Sequence, residues 1–80
     1  MESFPELKPN HVVLLRADKK TGHVLDEKLF LALEENQKTF TLFESLDEAK
    51  VFAQNLLSNN PEIELVIYSN KEDVLFYSNE

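Results

Sequence analysis

The sequence contains no cysteine and only one glycine. Without cysteine, the chain has no disulfide framework, no thiolate zinc site and no cysteine nucleophile. A single glycine also excludes a glycine-rich phosphate-binding loop, because such loops need several glycines. Since a reducing compartment suits a chain that lacks cysteine, we expect a cytoplasmic protein.

Basic residues are also scarce. Eight lysines and arginines stand against 15 aspartates and glutamates, which gives a formal net charge of −7. A field of this sign repels phosphate groups, so we expect no binding to nucleic acid or to anionic membranes. Arg16, Lys19 and Lys20 form the one basic cluster, which we interpret as a solvated turn. No stretch approaches the roughly 20 apolar residues that span a bilayer.

The 80 residues predict one domain, and a hydrophobic content of 42% is enough to build a core. Residues 1–10 are expected to form a flexible N-terminal arm, because Pro5 and Pro9 oppose helix formation. The arm lacks the apolar run of a signal peptide. Phe4 and Leu7 could dock it on the domain itself, which we place at residues 11–80.

The clearest element is a helix in the middle of the chain. Ser45 and Glu48 have the spacing of a capping box, in which each side chain satisfies a backbone N–H of the first turn. Asn59 or Asn60 could take the left-handed conformation that ends many helices, and the proline that follows prevents continuation. Between these ends the apolar residues recur at helical spacing: Leu46, Ala49, Phe52, Ala53, Leu56 and Leu57.

Patterns of alternating or β-branched apolar residues predict strands at residues 11–17, 39–43, 63–68 and 74–77. Residues 18–22 are expected to form a turn that ends at the glycine. Residues 23–33 are ambiguous, because the alternation of Leu29, Leu31 and Leu33 favours a strand while their helix propensity is also good.

With a strand at that position, the element order is βββαββ, and the short connections favour antiparallel pairing. We therefore predict an α+β domain: a small antiparallel β-sheet with one amphipathic helix packed on one face.

The face of the sheet opposite the helix is not expected to be polar. Val66 and Tyr68 alternate with the helix-facing residues of their strand, and Phe76 and Tyr77 occupy the last strand. So large an apolar face exceeds what monomers usually expose, so something should cover it. The candidates are the arm, a different protein or a second copy of the chain, and a homodimer is our first expectation. The possible interface residues are Val66, Tyr68, Phe76 and Tyr77. The last strand, flanked by acids, could also accept a partner strand at its edge.

No arrangement of residues indicates a catalytic, metal or cofactor site. His11 and His23 flank the first strand and could meet across a hairpin, but a metal site needs a third ligand at a defined spacing. Asp18, Asp26 and Glu27 could pair as acid and base only in a pocket that shifts one pKa. We therefore expect no cofactor and no enzyme activity, with a small enzyme that uses His11 or His23 as an alternative.

The passage Phe43-x-Ser45-Leu46-x-x-Ala49, in which a short strand runs into a capped helix, resembles a half-unit of peptidoglycan-binding SPOR repeats. The resemblance covers only this part of the chain and implies a helix that docks on a sheet. Because the double repeat of that family is absent, the resemblance implies no function for this chain.

Together these features predict a small acidic, non-enzymatic domain that binds another protein or itself. The first alternative is an acidic inhibitor or immunity-type protein that occupies a basic site on a nucleic-acid-acting partner. Salt distinguishes the two, because attraction between acidic and basic surfaces weakens with ionic strength, whereas association of apolar sheet faces does not.

Overall fold

The computed structural model describes residues 3–78, so the parts of the predicted arm and domain at Met1, Glu2, Asn79 and Glu80 lie outside it. Within this range the chain forms one antiparallel sheet and one helix, and the predicted α+β fold with βββαββ order is confirmed. The elements are β1 (Val12–Asp18), β2 (Val24–Leu25), β3 (Phe40–Phe43), α1 (Leu46–Asn59), β4 (Ile63–Tyr68) and β5 (Val74–Tyr77).

Strand β1 is the centre of the sheet. One of its sides pairs with β3 over residues 12–15 and with β2 at residues 16 and 17, so these two short strands share an edge. Its other side pairs with β4, and β5 forms the opposite edge beyond β4. All four pairings are antiparallel, as the short connections predict.

Helix α1 begins where its capping residue predicts. Ser45 has an extended backbone, and its Oγ accepts a hydrogen bond from the Glu48 backbone N–H at 3.2 Å. The predicted left-handed ending is wrong, because neither Asn59 nor Asn60 has a positive φ, and that of Asn60 is −141°. Its side-chain amide instead donates to the Leu56 carbonyl at 2.9 Å, which satisfies one of the carbonyls that the last turn leaves unpaired.

The core lies between α1 and one face of the sheet. Ala49 and Ala53 are fully buried, and their small side chains let the helix backbone approach the strands closely. The predicted orientation of β4 is confirmed, since its alternate residues Ile63, Leu65 and Ile67 all belong to this core. The other buried members are Val12, Leu14 and Leu25.

Residues 23–33 form neither the predicted long strand nor a helix. Only Val24 and Leu25 are strand, with one further bridge between Leu25 and Leu31. The Asp26 carboxylate accepts hydrogen bonds from the backbone N–H groups of Lys28 and Phe30, which folds the chain into a turn immediately after β2. This local competition for the backbone, which the leucine alternation does not show, ends the strand.

No helix within residues 3–78 is long and apolar enough to cross a membrane.

Candidate interaction surface

The helix-free face, which is the face of the sheet opposite α1, is partly covered by the N-terminal arm. The Phe4 ring makes edge contacts with Phe40 of β3 and Tyr68 of β4, at centroid distances of 5.6 and 5.8 Å. Because β1 lies between those two strands, the Phe4 ring crosses it. This placement accounts for the complete burial of Val13, a β1 residue on the helix-free face.

The arm leaves the rest of the helix-free face open. We call this part the open strip and define it by Leu15, Val66, Tyr68, Val74 and Tyr77, which border a shallow hollow of about 350 Å³. Exposure is largest at the β5 edge, where it reaches 58% for Val74. The hollow has one charged side chain in its lining, that of Glu64, which accepts a 2.9 Å hydrogen bond from the Tyr77 hydroxyl.

The four predicted interface residues do not lie on the same face. Val66, Tyr68 and Tyr77 come together on the open strip, since Val66 pairs directly with Tyr77 in the sheet. Phe76 pairs with Ile67 and packs against the core beneath α1. Alternation along β5 therefore separates Phe76 from the surface that the sequence placed it in.

Strand β5 is an edge with an irregular register. It pairs only with β4, and a shift between Ile67 and Tyr68 leaves one extra residue on β5. Val74 and Leu75, at this irregularity, are both exposed. Bulges and short length are features by which natural edge strands avoid unspecific pairing, so the face of β5 is a better contact surface than its edge.

Arg16 is buried in the sheet, with only 1% of its surface exposed. The sequence predicts instead that Arg16 forms a solvated cluster with Lys19 and Lys20. The two lysines are exposed as predicted, but the prediction is wrong for Arg16. Its guanidinium donates to the Asp26 carbonyl at 3.2 Å, the Thr39 carbonyl at 3.1 Å and the Thr41 hydroxyl at 2.8 Å. Burial lowers the pKa of the Arg16 guanidinium, while the nearby carboxylates of Glu27 and Asp26 oppose that shift.

A second polar cluster joins the two ends of the loop at residues 26–39. Gln37 donates through its amide to the Asp26 carboxylate and to the Leu31 carbonyl, both at 2.8 Å. Its carbonyl accepts from the backbone N–H groups of Leu33 and Glu34 at 2.7 and 2.8 Å. The hydrogen bond from the Gln37 amide is the largest cause that lowers the pKa of the Asp26 carboxyl, and those from the Phe30 and Lys28 backbone N–H groups add to the effect, while burial opposes it. The loop is thus held by specific polar contacts.

The tip of this loop exposes large apolar side chains. Phe30, Leu31 and Leu33, which we call the apolar loop, are 66%, 44% and 82% exposed. The residue before them, Leu29, has a left-handed φ of 68° and packs against the core. The alternating leucines that predict a strand therefore divide between the core and the solvent.

Another apolar patch, which we call the helix patch, lies on α1. Val51 and Phe52 are 59% and 39% exposed, and the Phe52 ring contacts that of Phe43 at a centroid distance of 5.2 Å. Asp47 and Glu48 border the same depression. The helix patch is therefore bordered by two carboxylates, whereas the hollow of the open strip has one.

The candidate chemical residues are not brought together. His11 precedes β1, whereas His23 lies at its far end, where its carbonyl accepts from the Asp18 N–H. At about 3.3 Å per residue, the strand separates the two histidines by roughly 20 Å. Asp18 is used in the turn, where its carboxylate accepts from the Lys20 and Thr21 backbone. Among the described residues, no cluster of three His, Asp or Glu side chains could hold a metal ion.

Sequence reasoning missed the Arg16 cluster and the apolar loop. The partners of Arg16 lie 10, 23 and 25 residues further along the chain, so no local pattern indicates them. The one signal was the position of Arg16 two residues after Leu14, which places both side chains on the same face of a strand.

No known protein family, curated protein or solved structure matches this chain.

Proposed function

We propose that this chain is a non-enzymatic protein-binding domain that self-associates, with two copies meeting through the open strip. The observation that supports the proposal is the composition of that surface. Aliphatic and tyrosine side chains from three neighbouring strands border one hollow, which has a single carboxylate in its lining. Surfaces of this kind, apolar and rimmed by polar groups, are typical of contacts between proteins.

Charge favours a second copy at the open strip over the other exposed apolar patches. Two chains of net charge −7 repel each other, so they can associate only where contact brings few carboxylates together. Glu64 at the open strip already accepts a hydrogen bond from its own Tyr77. Contact between two helix patches would instead bring together two copies each of Asp47 and Glu48.

The hydrogen bonds of Asp26 argue against a role for this residue as a general acid. A general acid at neutral pH needs a carboxyl whose pKa is raised, whereas the hydrogen bonds from Gln37 and the loop backbone lower the pKa of Asp26. Both carboxylate oxygens accept hydrogen bonds that hold the loop. Asp26 therefore has a structural role in this proposal.

The proposed compartment is the cytoplasm, which suits the cysteine-free composition. The proposed partners are proteins, because a net charge of −7 opposes contact with nucleic acid and with anionic membranes.

Two matched substitutions test this function. Val74 on the open strip and Val51 on the helix patch are 58% and 59% exposed. A lysine at either position can therefore extend into solvent without disturbing the packing of the core. Both variants change the net charge equally. Val74→Lys places an ammonium group in the proposed interface, and we expect it to raise the dimer dissociation constant by about tenfold or more in sedimentation equilibrium. Val51→Lys should leave the constant unchanged.

The proposal is wrong if the two variants associate to the same extent, or if Val51→Lys is the one that dissociates. It is also wrong if the unmodified chain is monomeric at every concentration.

A further inference from the structure

The loop at residues 26–39 is long for a connection within one sheet, and it is fixed at both ends. Connections longer than about 12 residues without secondary structure are usually functional or disordered. Here the Arg16 guanidinium binds the carbonyls of Asp26 and Thr39, the first and last residues of the loop. Gln37 then ties the interior of the loop to Asp26. The loop is therefore ordered, which leaves function as the expected reason for its length.

Between its fixed ends, the loop carries the two large apolar side chains that are most exposed among the described residues. Leu33 is 82% exposed and Phe30 is 66% exposed, while their neighbour Leu29 is held against the core with a left-handed backbone. A left-handed leucine costs about 1 kcal/mol or more. A conformation that strains Leu29 and leaves Phe30 in water is unfavourable for the isolated chain, and contact with a partner would offset the exposure of Phe30.

We propose that the apolar loop is a docking site for a different protein, one that offers an apolar cleft bordered by lysine and arginine. The protruding side chains Phe30 and Leu33 would fill such a cleft as its anchors. Within residues 26–38 three exposed glutamates stand against two exposed lysines, since the Asp26 carboxylate is buried and hydrogen-bonded within the loop. The whole chain has a net charge of −7, which favours a basic partner for the loop and opposes its contact with a second copy.

This proposal does not rest on self-association through the open strip. The two surfaces are neighbours, since Val24 borders both the hollow of the open strip and a depression lined by Leu31 and Leu33. Substitutions distinguish them, because Val74 belongs only to the open strip and Phe30 only to the apolar loop.

Site-specific photo-crosslinking tests both the surface and its occupant. The photoreactive residue p-benzoylphenylalanine is placed at position 30 in the full chain, and in a control at position 51 on the helix patch. The chains are irradiated in cells of the source organism, and the adducts are identified by mass spectrometry. We expect position 30 to give an adduct with one other protein of net positive charge, and position 51 not to give it.

Several results would overturn the proposal: adducts of position 30 only with a second copy, an acidic protein as the adduct, equal adducts at both positions, or none above the control. The crosslinking at position 30 is repeated in a chain that also carries Val74→Lys. An adduct that persists shows that docking is independent of the open strip, whereas loss of the adduct shows that docking depends on that surface.

Affinity measurements with the purified partner complete the test. Phe30→Ser and Leu33→Ser remove exposed anchors, so both variants should retain the urea midpoint of the unmodified chain. Each should weaken binding by about tenfold or more, and Val51→Ser should not. Binding should also weaken as salt is raised. Unchanged affinity in both loop variants, or affinity that is independent of salt, would contradict the proposed cleft.

Discussion

At the scale of single residues, Arg16 connects the sheet to the loop. Its guanidinium is buried and donates to three acceptors within residues 26–41. One of them, the Thr41 hydroxyl, in turn donates to the Glu27 carboxylate at 2.8 Å. No buried side-chain nitrogen or oxygen of the described residues lacks a hydrogen-bond partner. A buried charge is tolerated only in such an environment, because an unpaired one would lose its hydration without compensation.

Replacement of Arg16 by methionine should destabilise the fold by about 3 kcal/mol. Methionine fills much of the volume, but the Asp26 and Thr39 carbonyls each lose the hydrogen bond from the guanidinium. The measurement is urea unfolding, with Lys20→Met as the control, because Lys20 is exposed and its loss should change stability by less than about 0.5 kcal/mol. Equal midpoints for the two variants would contradict the role given to Arg16.

Asp26 makes stability depend on pH. Its pKa is lowered in the folded state, mainly by the hydrogen bond from Gln37, so folding favours the ionised carboxylate. The resulting stabilisation is present above the unfolded pKa of about 3.9, and it is lost as the pH falls through the lower folded value.

The stability difference between the unmodified chain and Asp26→Asn should therefore be largest at neutral pH and should narrow in acid below about pH 4. Urea unfolding of both proteins at a series of pH values measures the difference. A gap that stays constant into acid would show that the charge of Asp26 does not contribute. Glu35→Gln, at an exposed residue of the same loop, should leave the midpoint at neutral pH unchanged.

At the scale of elements, helix α1 and strand β4 have local causes. Ser45 caps α1 through a contact three residues away, and the alternation within Ile63–Tyr68 alone fixes which side chains face the core. The loop at residues 26–39 has distant causes, since its shape depends on Arg16 in β1. For this reason the sequence predicts α1 and β4 correctly, while it predicts a strand where the apolar loop lies.

Ser45→Ala should destabilise the domain by about 1 kcal/mol, because the Glu48 N–H loses its acceptor at the start of α1. Urea unfolding measures the loss. Ser58→Ala, at an exposed position in the last turn of the same helix, is the matched control and should cause no loss. Similar losses in the two variants would show that the cap contributes nothing specific.

The arm was expected to be able to dock through Phe4, and its ring does pack between Phe40 and Tyr68. Phe4→Ala should cost about 1–2 kcal/mol, less than a fully buried phenylalanine, because the ring is only partly buried. The loss is measured by urea unfolding, and amide shifts should change mainly around Val13 and Phe40. The control Phe30→Ala removes an exposed ring and should change stability little. A greater loss of stability in Phe30→Ala than in Phe4→Ala would contradict the docking of the arm through Phe4.

At the scale of the whole molecule, the sequence correctly indicates that one face of the sheet lacks a helix and is apolar. It does not indicate which part of that face the arm covers and which part stays exposed. The arm covers the part over Val13, while the open strip stays exposed beside β5. That division could not be predicted, because it depends on where residues 3–10, which form no helix or strand, lie on the sheet. Alternation places Val66 and Tyr77 on this face, whereas Phe76 belongs to the core.

Self-association through the open strip is most directly tested by sedimentation equilibrium of the unmodified chain over a range of concentrations, at low and at high salt. We expect a reversible dimer whose dissociation constant does not increase with salt, because the contact is apolar and salt screens the repulsion between two chains of net charge −7. A chain that stays monomeric at every concentration, or a dimer that dissociates as salt is raised, would contradict it.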